Sequence, residues 1–283
     1  MKTEKLFVVD GNFYWHRIFR TQPASAASFP AHAQASLLSS RFLGMVCKDA
    51  LAVRARRVVV VFDGADVFRY SIFPDYKASR GEFKKGMTND SDSVYEHLNA
   101  LLTFLADKGI PVLQMPQYEA DDVLASYAHQ FENVVLGSRD KDAYQTLREG
   151  VSLYDSAFKV NNLPAPRTIL HTQVEKLFGV PPSLCVDLQT LTGDKIDNVP
   201  TLVTRAKAIK GLLAHGGLKQ WLLNDEGFRK SIERSALQLN RRLVKLVHDL
   251  PVAVFPIKWN TLNMPQAYAN LHHFCNPKSK GLF

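Results

Sequence analysis

The chain has 283 residues, 46% of them hydrophobic, which is enough apolar material for one large domain or a large and a small one. No apolar run approaches the roughly 20 residues that cross a bilayer, and the opening MKTEKLFVVDGNFYWHR meets an acid too early for a signal peptide. Secretion and membrane contact are therefore not expected. Cys47, Cys185 and Cys275 are odd in number, far apart and in no CxxC spacing, so buried thiols in a reducing cytoplasm are a better reading than disulfides or zinc. The net charge is +8; residues 1–150 balance to zero, so the whole excess lies in residues 151–283. A neutral half joined to a basic half suggests that the second holds a polyanion for the first, although many basic domains bind nothing in particular.

In chain order, Leu6–Asp10 and Arg57–Asp63 are short apolar runs ending in an acid and read as buried, parallel strands. Between them Leu38, Phe42, Met45, Val46 and Ala50 recur at helical spacing, as do Leu98, Leu101, Leu102 and Leu105 before Gly109. A strand at Ile110–Leu113, a helix at Asp121–Phe131 and strands at Val134–Gly137 and Val151–Tyr154 continue the alternation. The pattern predicts an α/β fold: a mostly parallel central sheet with helices on both faces, which collects ligands at the carboxyl ends of its strands. Thr21–Ala35 and Gly81–Ser93 interrupt it as polar or small-residue stretches and read as loops, the second where a substrate could pass.

After about residue 165 the strand signals stop. Val174, Leu177 and Phe178, then Leu184, Leu188 and Leu191, then Ala206, Ile209 and Leu213, then Leu218, Trp221 and Leu222 predict several short helices. Residues 205–245 of this small helical domain hold ten Lys and Arg against three acids. The expected division is 1–165 for the α/β part, 166–250 for the basic helical part and 251–283 for a tail that takes no assignment.

Acids sit where strands should end. Asp10 closes the first, Asp63 the second, Glu119, Asp121 and Asp122 follow the third in YEADDVLAS, and Asp140 and Asp142 follow the fourth in GSRDKDA. Any one of them alone is better read as a helix cap or turn former. Seven converging on one sheet edge would repel each other unless protonated or neutralised by cations. All-oxygen ligands with neither cysteine nor an adjacent histidine favour Mg²⁺ or Mn²⁺ over zinc, and a pair of ions is the usual device for in-line displacement at phosphorus. Asp194 and Asp197 in LTGDKIDNVP add two acids whose spacing of three lets both face one way if the turn is helical. Lys77 and Arg80 in FPDYKASR, and Arg17, are candidate cations for the substrate's charge, and Tyr76 could stack on a base or simply pack.

The segments VVDGN (8–12), VFDG (61–64), PDYKASR (74–80), GIPVLQMPQYEADDVLAS (109–126), SRDKDAYQ (138–145) and LTGDKIDNVP (191–200), in this order, resemble the 5′-nuclease family. Its members are flap endonucleases, bacteriophage 5′-3′ exonucleases and the amino-terminal nuclease domain of bacterial DNA polymerase I. VVDGN alone is weak; YEADDVLAS followed by RDKDAYQ and GDKIDNVP at the family's distances makes coincidence improbable.

That resemblance implies a PIN-like nuclease domain with an arch or clamp at about residues 76–95, joined to a helix-hairpin-helix-like domain. It implies a first metal site of Asp10, Asp63, Glu119 and Asp121 with Asp140 close by, a second of Asp142, Asp194 and Asp197, and Asp122 in support of the cluster. Lys77 and Arg80 would touch the scissile phosphate and Arg17 a nearby one, while Lys84 and Lys85 would track phosphates in a clamp that orders when a 5′ end threads or docks. The family's glycine-rich hairpin after DNxP is replaced by TLVTRAKAIKGLL, with no glycine from Asn198 to Lys210. That puts a potassium (K⁺) site there in question and shifts duplex anchoring towards Arg205, Lys207 and Lys210.

The implied function is a two-metal 5′ nuclease acting on DNA at 5′ ends, flaps or nicks in replication or repair. It would be a cytoplasmic monomer, in a bacterium or a phage-infected host, that leaves gap filling to a separate polymerase. Two alternatives stand beside it: a non-catalytic DNA-binding scaffold of the same fold, and a nuclease for RNA primers in RNA–DNA hybrids.

Overall fold

The structure, a computed structural model, describes residues 4–22, 25, 28–78 and 90–253, with residues 90–96 as backbone only. Its frame is a six-stranded sheet of β1 (Leu6–Asp10), β2 (Arg57–Phe62), β3 (Val112–Gln114), β4 (Val134–Gly137), β5 (Val151–Asp155) and β8 (Arg167–Leu170). The spatial order is β3-β2-β1-β4-β5-β8, parallel throughout except for the antiparallel pair β5 and β8. A two-stranded ribbon, β6 (Lys159–Val160) and β7 (Leu163–Pro164), lies between β5 and β8 in sequence, turning through Asn161 and Asn162 at positive φ. Asparagine tolerates that left-handed turn better than most residues.

Every residue of β1 is buried, as a strand covered on both faces requires. Leu6 and Val8 face one apolar cluster, Phe7 and Val9 the other. The second face is covered by α1 (Gly11–Arg20), α2 (Ala31–Ala52) and α4 (Asp90–Asp107), through Tyr14, Trp15, Phe42, Val46, Leu101 and Leu105. A short α3 (Phe68–Ile72) follows β2. The first face is covered by α5 (Ala120–Gln130). Its apolar cluster runs on without a break into α6 (His171–Phe178), α7 (Pro182–Thr192), α8 (Arg205–His215), α9 (Leu218–Asn224), α10 (Glu226–Ser231) and α11 (Arg234–Val244). The basic helices therefore share a core with the sheet, which holds them against its edge.

Several expectations need correction. Strands do not stop at residue 165: β8 pairs with β5, its exposed alternate positions hiding it from a search for apolar runs. Ala31–Ala35 belongs to α2 and Asp90–Ser93 to α4 instead of to loops; the alanine-rich stretch after Pro30 is a good helix start. Asp194–Val199 is not helical. It is a turn closed by Asp194 and Val199, whose N–H groups each donate to the other's carbonyl. In α8 the buried face is Ala208, Gly211 and Leu212, and Leu213 and Ala206 point outward, because the Trp221 ring lies where a Gly211 side chain would be. Leu177 is exposed as well. Among the described residues no helix is long and apolar enough to cross a membrane. Of the tail, residues 254–283 lie outside the described residues.

Gly193 shapes the turn that carries Asp194 and Asp197. It has φ +60° and ψ −168°, and a Cβ there would come within 2.3 Å of both the Val199 and Pro200 carbonyl oxygens. Gly193→Ala is expected to cost about 1–3 kcal/mol or more, read as a fall in Tm of roughly 2–4 °C per kcal/mol with a parallel loss of whatever Asp194 and Asp197 do.

Candidate metal centre

The acids at the strand ends are both turn formers and members of one cluster. Asp10 caps α1, its Oδ1 accepting from the Phe13 N–H at 2.9 Å, while Oδ2 accepts from the Ser138 hydroxyl at 3.1 Å. Ser138 follows β4, so this contact ties two neighbouring strand ends together. Asp63, after β2, accepts from the Ala120 N–H at 2.8 Å, which brings it to the N-terminus of α5 and to Glu119 and Asp121. Asp140 accepts from the Asp142 N–H at 2.9 Å at the start of a 3₁₀ turn (Lys141–Thr146). Backbone N–H groups thus orient the carboxylates, and the local role of each acid serves the shared one.

Electrostatics links them. Burial, then the charges of Asp63 and Asp140, push the Asp10 carboxyl up to about 7, against the Phe13 amide and the Ser138 hydroxyl. Burial, then Asp140 and Asp10, hold Asp121 well above the usual carboxylate range. Burial, then Asp140, with Asp197 and Asp194 further out, do the same to Asp142. Asp140 therefore stands between two groups, one of Asp10, Asp63 and Asp121 and one of Asp142, Asp194 and Asp197. Glu119 joins the first by its charge acting on Asp121, and Lys77, whose ammonium bonds Glu119 Oε1 and stands 3.9 Å from Asp197, links it to the second. At Asp194 burial acts upward too, but the Lys141 ammonium at 2.9 Å outweighs it and holds the carboxyl below the usual range.

Among the described residues no three acids or histidines close to metal-ligand spacing. Lys77 and Lys141 supply countercharge to the carboxylates. The donor set fits a hard cation: carboxylate oxygens, no thiolate and no histidine between them.

Asp122 lies behind this cluster. It is wholly buried and its two oxygens take the Arg69 guanidinium at 2.6 and 2.7 Å; Oδ1 also accepts from the Val247 N–H at 2.9 Å. Arg69, itself fully buried, stands 3.1 Å from Glu119 and donates through Nε to the Leu243 carbonyl at 2.8 Å. With its oxygens so occupied, Asp122 supports the cluster instead of offering a ligand face. Sequence reasoning missed Arg69; the only local signal was a lone arginine inside the aromatic stretch VFRYSIF.

The other expected residues separate clearly. Tyr76 is buried, its hydroxyl donating to Glu119 at 3.1 Å and its ring against Tyr70, so of its two readings the structure has it pack. Burial beside Glu119 pushes the Tyr76 hydroxyl's pKa up, so it stays a donor. Lys77, at φ 57°, is held in the cluster by its N–H donating to the Asp197 carbonyl at 3.0 Å. Arg17 donates to the Ser156 hydroxyl at 2.7 Å in a separate pocket. Arg205 lies over the Phe178 ring and bonds the Phe178 carbonyl, so its guanidinium fastens α8 to α6. Lys207 and Lys210 are exposed. Arg80, Lys84 and Lys85 fall outside the described residues. Another contact invisible in sequence is Asn240, whose amide donates to the Thr190 and Pro200 carbonyls at 2.9 and 2.7 Å. It closes the glycine-free loop from within.

Residues 5–179 match the family model of the 5′-3′ exonuclease N-terminal resolvase-like domain. The chain is 33% identical to the 5′-3′ exonuclease of Aquifex aeolicus, an alignment covering 89% of this chain and 84% of that one. It is 30% identical to DNA polymerase I of Rhizobium leguminosarum over 89% of its own length but spans only 25% of that longer protein. The fold resembles the bacteriophage T5 D15 flap endonuclease, solved as a pseudo-enzyme–product complex with DNA and metal ions, with a TM-score of 0.67, 19% identity and coverage of 96% of this chain and 99% of that one. Human GEN1, solved with Holliday junction DNA, superposes with a TM-score of 0.56 at 16% identity, over 95% of this chain and 67% of that one.

Replacing Arg69 by leucine leaves the Asp122 charge buried and unpaired, at an expected cost of about 3–5 kcal/mol, measurable by urea unfolding. The Asp10 shift sets a pH dependence. The folded state keeps a proton up to about pH 7 that the unfolded chain releases near 3.8, so this site's contribution makes metal-free stability fall as pH rises between those values. Mg²⁺ should accordingly raise Tm more at about pH 7.5 than at about pH 5; an equal or reversed effect by scanning calorimetry contradicts the coupling.

Proposed function

Since the chain belongs to the 5′-3′ exonuclease family, we propose that it is a divalent-metal-dependent nuclease that hydrolyses DNA phosphodiesters at 5′ ends, flaps or nicks during replication or repair. The observation that carries this reading is the electrostatic coupling of the strand-end acids through Asp140, with Lys77 among them, at one edge of the sheet. Asp10, Asp63, Glu119, Asp121 and Asp140 would hold one ion of the Mg²⁺ or Mn²⁺ kind, and Asp142, Asp194 and Asp197 a second. Bound there, the ions would activate water and neutralise the leaving 3′ oxygen. Product strands would then carry 5′-phosphates.

The protein's own groups do the rest. Lys77 and Lys141 pair with carboxylates of the cluster, and their ammonium groups would hold an incoming phosphate beside the ions. Tyr76 and Arg69 hold Glu119 from behind, by hydroxyl and guanidinium, so its carboxylate faces the cluster. We assign duplex binding to residues 166–250. Lys207 and Lys210 on α8 are exposed, and Arg241, Arg242 and Lys245, against the single carboxylate of Asp249, line a groove of about 580 Å³ together with Phe68 and Ile72. No base-reading motif accompanies them, so specificity is for structure and binding should weaken steeply with salt.

The test is cleavage of 5′-labelled flap, nicked and RNA–DNA hybrid substrates with Mg²⁺, Mn²⁺ or EDTA. Wild type should cut with either metal, and EDTA or Asp121→Ala should abolish cutting. Lys77→Ala should lower kcat by about a hundredfold or more with a smaller change in KM. Asp194→Ala reports whether the second ion is required. Cleavage that survives EDTA removes the metal mechanism, and no cleavage of any 5′ substrate favours the scaffold.

A further inference from the structure

Away from the acids, a pocket of about 310 Å³ opens between α1, α2 and the ribbon of β6 and β7. Arg17 of α1 and Arg41 and Lys48 of α2 bring three cations to it against a single carboxylate, Asp49. Two of the cations are held by neutral partners. Arg17 is fixed by the buried Ser156 hydroxyl at 2.7 Å, and Arg41 by the Thr21 carbonyl at 2.9 Å. Asp49 is buried at the base and accepts from the Tyr14 hydroxyl at 2.8 Å. The remaining wall is apolar: Ile18 and Met45 on the helices, Pro164 from the ribbon and Pro166 just before β8.

We propose that this pocket binds one nucleotide by its terminal phosphate monoester, with sugar and base against the proline and methionine wall. Three features select that ligand. A net charge of about two matches a monoester, which carries about −1.5 to −2 near neutral pH, better than a diester with a single charge. The volume is at the lower end of the roughly 300–1,000 Å³ of small-molecule sites. One end of the pocket is charged and the other apolar, as a nucleotide is.

The location relates it to the acids. Ser156 follows the carboxyl end of β5, the same sheet edge, and Arg17 lies seven residues beyond Asp10 on one helix, so roughly 10 Å separates them along the axis. A phosphorylated strand end held here would place a nearby phosphodiester at the acidic cluster. This step rests on the nuclease reading; the binding of a nucleotide does not.

Titration calorimetry of the full chain in EDTA tests it without turnover. Thymidine 5′-monophosphate should bind and thymidine should give no heat at the same concentrations. Lys48→Glu at an exposed position and Arg41→Ala at a half-buried one, both variants checked for unchanged Tm, should each weaken the monophosphate by about tenfold or more. Monophosphate binding no better than thymidine, or equal in wild type and both variants, overturns the proposal. Oligonucleotides with 5′-phosphate and 5′-hydroxyl ends then distinguish the source. A preference for the phosphorylated end that Lys48→Glu removes assigns the pocket to the substrate strand. Lys48-dependent monophosphate binding with no such preference assigns it to the released mononucleotide. A chain that cleaves nothing but binds the monophosphate loses the nuclease reading and keeps the pocket, and the converse result loses only the pocket.

Discussion

Carboxylates crowded at one end of a parallel sheet repel one another, and much of the molecule is arranged to hold them there. Burial and mutual charge raise Asp10, Asp121 and Asp142 together, with Asp140 common to all three. A protein with no use for that arrangement would relieve it by replacing one acid with a neutral side chain of similar size. Instead the repulsion is contained locally: backbone N–H groups anchor Asp10, Asp63, Asp140 and Asp194, and two lysines stand between the carboxylates.

Arg69 carries the cluster's position into the rest of the chain. Its guanidinium joins Asp122 and Glu119 on α5 to the Leu243 carbonyl at the end of α11. The segment after α11 is then stitched along α5, where Ser126, Gln130 and Tyr127 meet Leu250 and Ala253. A change in how the basic helices sit would therefore be felt at Glu119 through one buried side chain. The unbroken apolar cluster from β1 to Phe228 makes this coupling stiff, because the helices have no core of their own on which to move.

The glycine-free loop after Asp197 shows how one device can replace another. Asn240 reaches across from α11 to the Pro200 and Thr190 carbonyls, and the Leu202 and Val203 N–H groups both donate to the Leu191 carbonyl. The loop is thus satisfied by side chain and backbone contacts from α7 and α11. Arg205, one of the three cations expected to anchor duplex, fastens α8 to α6.

Much of the molecule was legible in the chain itself. Runs such as VVVVF and VVLG read as strands buried on both faces, and acids soon after such runs then lie at the carboxyl edge, so the strand-end acids were legible without any contact. Helix faces were read less well. The spacing of Ala206 and Leu213 points them inward, but the Trp221 ring packs on Gly211 and turns a different face of α8 to the core, a fit that no local pattern records. The strand β8 was missed because it is an edge strand with alternate residues exposed, which leaves no apolar run. Tertiary structure alone decided that Asp122 belongs to Arg69, that Tyr76 points inward and that Arg17 meets Arg41 and Lys48 across two helices. Local sequence determines what a residue can offer and which way its element faces, whereas the partner that takes the offer comes from contacts between segments that no periodicity records.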